Sequence, residues 1–238
     1  LLWDSRWRGS TACDSENSLM RKEGHMAYDF RKEMKALYQP KDEPGLIEVP
    51  ATNYLAVYGS GDPNEPDGAY QQAIARLYAV AYALRMSPKS GHVIPGFQEY
   101  VVPPLEGFWW LDGVQGMDYR RKSELNWISV IRLPDFITPA DHEWAVREVL
   151  RKKKLDCAAV AFLPVNEGLC VQAMHHGPFD DEPATVARMD AYLAAHGYVH
   201  DFSDTRRHHE IYLSDTRKVD PSQYRTVIRH PVKRGQAL

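Results

Sequence analysis

Cysteine is scarce: Cys13, Cys157 and Cys170 are the only three in 238 residues, and none stands at a metal-ligand spacing from another. So odd and sparse a set argues against a disulfide framework and fits a reducing compartment, so a cytoplasmic protein is expected. Long apolar runs are missing as well. None approaches the roughly 20 residues that cross a bilayer, and no signal-peptide core is present, so no membrane partner is expected. Charge of one sign is not in excess, with 29 Lys and Arg against 32 Asp and Glu and a net charge of -3. That balance speaks against nucleic acid as a partner. The run Arg151-Lys152-Lys153-Lys154 ends a predicted helix, where cations favour the dipole. There is no His-Glu-x-x-His motif. The pairs His175-His176 and His208-His209 fall on predicted strands, where neighbours point to opposite faces. No metal and no other cofactor is expected. The loop 59–68 lacks the Gly-Lys-Ser/Thr ending of a phosphate loop and carries several acids.

What is present is apolar and aromatic. Hydrophobic residues make up 44% of the chain and aromatics 11%, enough for a sizeable core. The length allows one large domain or two small ones. Residues 1–25 are polar and aperiodic and end in Gly24-His25-Met26, the pattern of a cloning scar. They are expected to be a tag or a disordered extension, with a single domain over 26–238.

Along that domain, residues 28–37 suggest a short charged helix ended by Gln39-Pro40. Residues 46–49 and 54–58 read as strands. A helix is expected over about 69–86, with Ile74, Leu77, Tyr78, Ala81 and Leu84 on its apolar face. Residues 97–103 and 125–133 read as strands. Thr138 and Pro139 are the N-cap and first position of a further helix. A hairpin is expected from 158–162 and 169–174. The latter runs through His175-His176-Gly177-Pro178 and an acidic turn into a helix from Glu182 to about 196. Residues 209–213 and 225–229 are the last strands.

The order strand, helix, strand, strand is thus written twice. Ser129-Val-Ile-Arg-Leu-Pro134 matches Thr226-Val-Ile-Arg-His-Pro231, and Glu99-Tyr-Val-Val102 answers Glu210-Ile-Tyr-Leu213. Aligning the two central helices sets Tyr70 opposite Glu182. The expected fold is α+β, with tandem duplicated βαββ units of about 26–137 and 138–233. Their antiparallel sheets would be related by a pseudo-twofold axis, with a ligand groove between the halves.

Four segments carry a resemblance: Tyr28-Asp-Phe-Arg-Lys-Glu33, Tyr100-Val-Val-Pro-Pro-Leu-Glu-Gly-Phe-Trp-Trp110, Met174-His-His-Gly-Pro-Phe-Asp-Asp-Glu-Pro-Ala-Thr185 and Arg206-Arg-His-His-Glu-Ile-Tyr-Leu-Ser-Asp215. Through them the chain resembles the GyrI-like small-molecule-binding family. It is closest to a stand-alone subgroup that includes cyclopropanoid cyclopropyl hydrolases. The subgroup carries Tyr where this chain has Phe179. The resemblance implies the effector-binding fold and hydrolysis of the cyclopropane ring of DNA-alkylating natural products of the duocarmycin and yatakemycin kind. It implies a hydrophobic aromatic small molecule as the partner. Two other classes remain open. One is a binding module that sequesters planar aromatics, and the other a modulator of DNA gyrase.

The implied chemistry needs a base for water, a donor for the developing phenolate and an aromatic box for the flat ligand. On residues alone Glu182 reads as an ordinary acid of a first helical turn; the resemblance makes it the general base, with desolvation raising its pKa and the helix terminus opposing that. Tyr70 is its expected partner, donating to the ligand or orienting the water. Phe108, Trp109 and Trp110 are expected as an aromatic wall, one tryptophan facing the ligand, with Glu106 beside them as an orienting group or one that recognises a cation, and His208 or His209 with Glu210 as further donors. Trp127, Tyr58, His176, Phe179 and His208 complete the expected lining.

Overall fold

The structure is a computed structural model that describes residues 27–235 except Gln115 and Tyr119. The extension expected at 1–25, and Cys13 with it, lies outside the described residues. No helix among the described residues is long and apolar enough to cross a membrane.

Among the described residues, nine strands and five α-helices follow in chain order. α1 (Phe30–Glu33) and α2 (Lys35–Tyr38) replace the single charged helix expected over 28–37, which breaks at Met34. β1 (Gly45–Val49) and β2 (Thr52–Ser60) precede α3 (Ala69–Arg85), then come β3 (Leu105–Trp110) and β4 (Asn126–Arg132). α4 (Pro139–Lys153) leads to β5 (Ala161–Val165) and β6 (Gly168–His176). α5 (Glu182–His196), β7 (Tyr198–His200), β8 (His208–Tyr212) and β9 (Arg225–Arg234) complete the chain. Thr138 caps α4 in a full capping box with Asp141, and α5 ends on Gly197 in the left-handed conformation.

The strands form one antiparallel sheet in the order β1-β6-β9-β8-β3-β4-β2-β5, with β7 paired to the end of β9. The order is closed in a particular way. Val49 and Thr52 are separated only by Pro50 and Ala51, yet β1 and β2 are six places apart. A flat sheet would set them about 29 Å apart, at about 4.8 Å per step. Three residue steps of chain reach only about 10 Å. The sheet therefore curls, and Asn166-Glu167 makes the equivalent short link from β5 to β6.

Two sequence expectations are corrected here. The hairpin from 158–162 and 169–174 does not form, because β5 pairs with β2 while β6 pairs with β1 and β9. Each half lends its first strand to the other. Residues 97–103 are not a sheet strand. They touch Tyr28 through one parallel bridge at Tyr100, and Pro103-Pro104 remove two backbone donors before β3 begins. The proposed match of 99–102 with 210–213 therefore fails, since β3 is the counterpart that pairs with β8. The match of 129–134 with 226–231 does fall on β4 and β9.

One face of the sheet carries α3, α4 and α5. Leu55, Val57, Trp109, Trp127 and Ile131 pack there with Leu77, Val80 and Leu84 of α3. Val171, Ala173, Ile228 and Val232 pack with Met189 and Leu193 of α5. The other face meets α1 and α2 through Phe30, Leu37 and Tyr38. The Trp127 ring lies across Gly59, so a Cβ there would sit 2.2 Å from its atoms. Gly59→Ala is expected to destabilise the fold by about 1–3 kcal/mol through overpacking, read as a lower urea midpoint at unchanged slope.

Candidate functional site

Alternation along β3 and β8, the central pair, divides their side chains between two faces. His208, Glu210 and Tyr212 turn towards α3 and α5, together with Gly107 and Trp109. Glu106, Phe108, Trp110 and His209 turn the other way.

On the helix face, Glu182 at the start of α5 is completely buried. Its carboxylate, a ring nitrogen of His208 and an oxygen of Glu210 lie within 4.8 Å of one another. His208 Nε2 is 2.8 Å from Glu210 Oε1, and the Tyr212 hydroxyl donates to Glu210 Oε2 at 2.8 Å. Trp109 Nε1 donates to the Tyr212 hydroxyl at 2.9 Å. Tyr70 lies close to Tyr212. Its ring lies 5.3 Å from that of Trp109 and 5.1 Å from that of Trp127. Phe179 meets Tyr212 edge-on at 5.7 Å. Burial holds the Tyr70 and Tyr212 hydroxyls well above the usual phenol range, and Glu210 pushes both further the same way. Behind His208, His230 Nε2 stands 2.6 Å from Nδ1. Burial, with His208 and His200 beside it, holds His230 well below the usual imidazole range, so it is neutral.

A cavity of about 1180 Å³ opens against this cluster. Asp180 and Pro183, close to Glu182 in the chain, line it together with His208 and His230. Met117, Val186, Ala187 and Phe202 give it apolar walls, and the charged Asp62, Asp118, Arg120, Lys122, Asp180 and Asp190 line it as well. Lys122 bonds Asp180 at 2.6 Å and joins the segment before β4 to the turn before α5.

The structure therefore brings Tyr70, Trp109, Phe179, Glu182 and His208 together, with Trp127 behind Tyr70. It does not bring the other expected residues there. Glu106 lies on the opposite face, where it accepts from Tyr38 at 3.0 Å and from His209 Nε2 at 3.0 Å. Phe108 stacks on His209 at 4.2 Å on that same face. Trp110 lies under the Arg207 guanidinium at 3.5 Å, and Tyr58 is 55% exposed. His176 is exposed and bonds Asp42 at 2.9 Å; the neighbour that turns towards α5 is His175, held by Thr185 Oγ1 at 3.0 Å. In each case the cause is the two-residue period of a strand.

Tyr212, His230 and Gly107 were absent from the expected set and stand beside it, Tyr212 bonded to Glu210 and His230 next to His208. Their signal was the alternation His208, Glu210, Tyr212 on one strand. Gly107 is needed because a Cβ would meet Trp109 Nε1 at 2.6 Å and the Tyr212 hydroxyl at 3.0 Å. Gly107→Ala is expected to break the Trp109–Tyr212 bond, seen as a changed Trp109 indole N–H resonance and weaker ligand binding. Glu182, His208 and Glu210 are the donor set that would suit a divalent cation. In the observed arrangement the space between His208 and Glu210 is filled by their hydrogen bond. Neither described cysteine is placed as a nucleophile: burial pushes the Cys170 thiol up to about 12, and Cys157 is raised by burial too.

The GyrI-like small molecule binding domain matches residues 42–233. The chain belongs to the GyrI-like family. A solved hydrolase from Listeria innocua is 42% identical, with a TM-score of 0.78, covering 87% of this chain and 100% of its own. An uncharacterized conserved protein from Listeria innocua gives the same identity and coverage with a TM-score of 0.81. The C-terminal domain of EcmrR shares the fold at 14% identity and a TM-score of 0.51, over 81% of this chain and 98% of its own. Among curated proteins no match is found.

Proposed function

We propose that this GyrI-like protein binds a flat, largely apolar small molecule in the cavity beside α5 and opens a strained cyclopropane ring in it with water. The observation that carries this reading is the wholly buried Glu182, whose carboxylate converges with His208, which lines the cavity, and with Glu210, which is bonded to Tyr212. The likeness to a Listeria hydrolase supports an enzyme over a passive binder.

The step follows from the groups present. Water attacks the ring CH2, and an O–C bond forms as the ring C–C bond breaks. The electron pair of that bond moves to the dienone oxygen as the ring system aromatises. Glu182 takes the proton that water loses, and solvent protonates the phenolate. Tyr70 holds the water, and Trp109 and Phe179 hold the flat ligand. Cyclopropanoid DNA-alkylating compounds present such a ring, so hydrolysis would remove their electrophile and protect the cell. Incubation with a spirocyclopropyl dienone followed by mass spectrometry tests the reading. Gain of one water supports hydrolysis, whereas tight binding with no change of mass would make the protein a sequestering module.

A further inference from the structure

Three buried side chains from two elements converge beside the cavity. Glu182 opens α5, while His208 and Glu210 are alternate residues of β8 and so share one face. A ring nitrogen of His208 and one carboxylate oxygen from each glutamate lie within 4.8 Å of one another. Nitrogen and oxygen ligands stand about 2.0–2.2 Å from a zinc ion, hence about 3.3–3.5 Å apart around a tetrahedron. Side-chain shifts of about 1 Å would let the three atoms share a cation. Two of the ligands are held from behind. The Tyr212 hydroxyl donates to Glu210 Oε2 at 2.8 Å, which leaves Oε1 turned to His208 Nε2, also at 2.8 Å. His208 Nδ1 stands 2.6 Å from His230 Nε2. His230 is neutral, so its Nε2 can accept the Nδ1 proton of His208 and free the Nε2 lone pair for a metal. The proton now shared by His208 and Glu210 leaves to solvent as the cation enters. His208 lines the cavity, which supplies an entry path.

We propose that Glu182, His208 and Glu210 bind one divalent cation of the first transition row, of which Zn²⁺ is representative. One imidazole with two carboxylates and no thiolate suits such a borderline cation, whereas Mg²⁺ and Ca²⁺ prefer oxygen alone. A consequence follows that rests on the hydrolytic reading above. The cation draws on the same Glu182 carboxylate that takes the proton of water, so a loaded site hydrolyses slowly.

The test uses the full chain freed of metal with EDTA and then dialysed. Calorimetry with ZnSO4 is expected to show one cation per chain with a Kd of about 10 μM or tighter, and MgCl2 should bind at least about 100-fold more weakly. Glu182→Gln, His208→Gln and Glu210→Gln should each weaken Zn²⁺ by about 10–100-fold, while His176→Gln and His196→Gln, at exposed imidazoles, should change it by less than about twofold. Co²⁺ reads the site in the wild-type protein with no substitution. It should give the visible bands of a four- or five-coordinate ion and shift the NMR signals of His208 and Tyr212 far more than those of His176. Absence of binding below about 1 mM, or binding that follows the exposed histidines instead of the buried three, would overturn the site. Zn²⁺ at saturation is expected to lower hydrolysis of a spirocyclopropyl dienone by at least about tenfold, with recovery in EDTA. Tight binding at these residues with turnover unchanged or raised would uphold the site and remove Glu182 as the base. The same binding in a protein that leaves the dienone intact would uphold the site and sink the hydrolytic reading.

Discussion

Glu182→Gln is expected to reduce hydrolysis of a spirocyclopropyl dienone by about 10²–10⁴-fold, the span usual for losing a general base. The change keeps the shape of the side chain and the start of α5, where Pro183 follows directly. It removes the group that accepts the proton of water. The aromatic contacts remain, because Trp109, Tyr70 and Phe179 reach the site from β3, α3 and the turn before α5, not through Glu182. Ligand affinity, followed by quenching of Trp109 fluorescence, should therefore change by less than about tenfold, a small effect beside the loss of turnover. Equal loss of binding and turnover would show that Glu182 supports the pocket and not the chemistry. Undiminished turnover would remove it from the mechanism.

The second large effect lies on the opposite face of the sheet and concerns stability. His209 is wholly buried between Glu167 Oε2 at 2.9 Å and Glu106 Oε2 at 3.0 Å. Both partners only accept, so both ring nitrogens carry protons and the ring is a cation. Burial opposes that charge, but the two glutamates win and raise the His209 pKa. Arg229, 2% exposed, bonds Glu167, Gln172 and the Leu37 carbonyl at 2.8–3.2 Å. Burial would raise Glu167 too, yet His209 and Arg229 hold it at about 2. The network ties β3, β6, β8, β9 and α2 to the link between β5 and β6, so it fixes the curl of the sheet. Glu167→Gln strips two buried cations of a shared carboxylate and is expected to cost about 3–5 kcal/mol, measured by urea unfolding.

The pH dependence has a definite sign. The Glu167 share of stability is complete above its ordinary value of 4.5 and is lost as pH falls towards about 2. The His209 share is complete below its ordinary value of 6.5 and is lost as pH rises through its raised value. The stability difference between the wild type and Glu167→Gln should therefore be largest between about pH 4.5 and 6.5 and shrink on both sides. A difference that keeps growing above that window would contradict the cationic state of His209.

How much of this was written in the sequence depends on period and on pairing. Helices α3, α4 and α5 were legible because apolar spacing, Thr138 and Gly197 mark them locally. Tyr70 and Glu182 fall in the first turns of α3 and α5, as the alignment of the two helices placed them. The pairing of β5 with β2 was not legible, since strand exchange between halves leaves no local mark, and 158–174 looks like a hairpin by adjacency alone. Glu106 was misplaced because it was assigned by its closeness in sequence to the aromatics at 108–110, without its own place in the strand alternation. Alternation sends Trp109 to the site and the other two away from it. Tyr212 was overlooked because its place follows from its bonds to Glu210 and Trp109, which require coordinates. The register of β3 against β8 sets Trp109 opposite His208, and only that register makes the site.

The most direct test of the account is turnover in oxygen-18 water. The wild-type protein and Glu182→Gln are incubated with a spirocyclopropyl dienone, and the product is located by mass spectrometry and NMR. The account predicts one heavy oxygen on the former cyclopropane CH2 with the wild-type protein, and essentially none with the variant, although both bind the compound. Recovery of unchanged dienone from a tight wild-type complex, or equal labelling by both proteins, would contradict it.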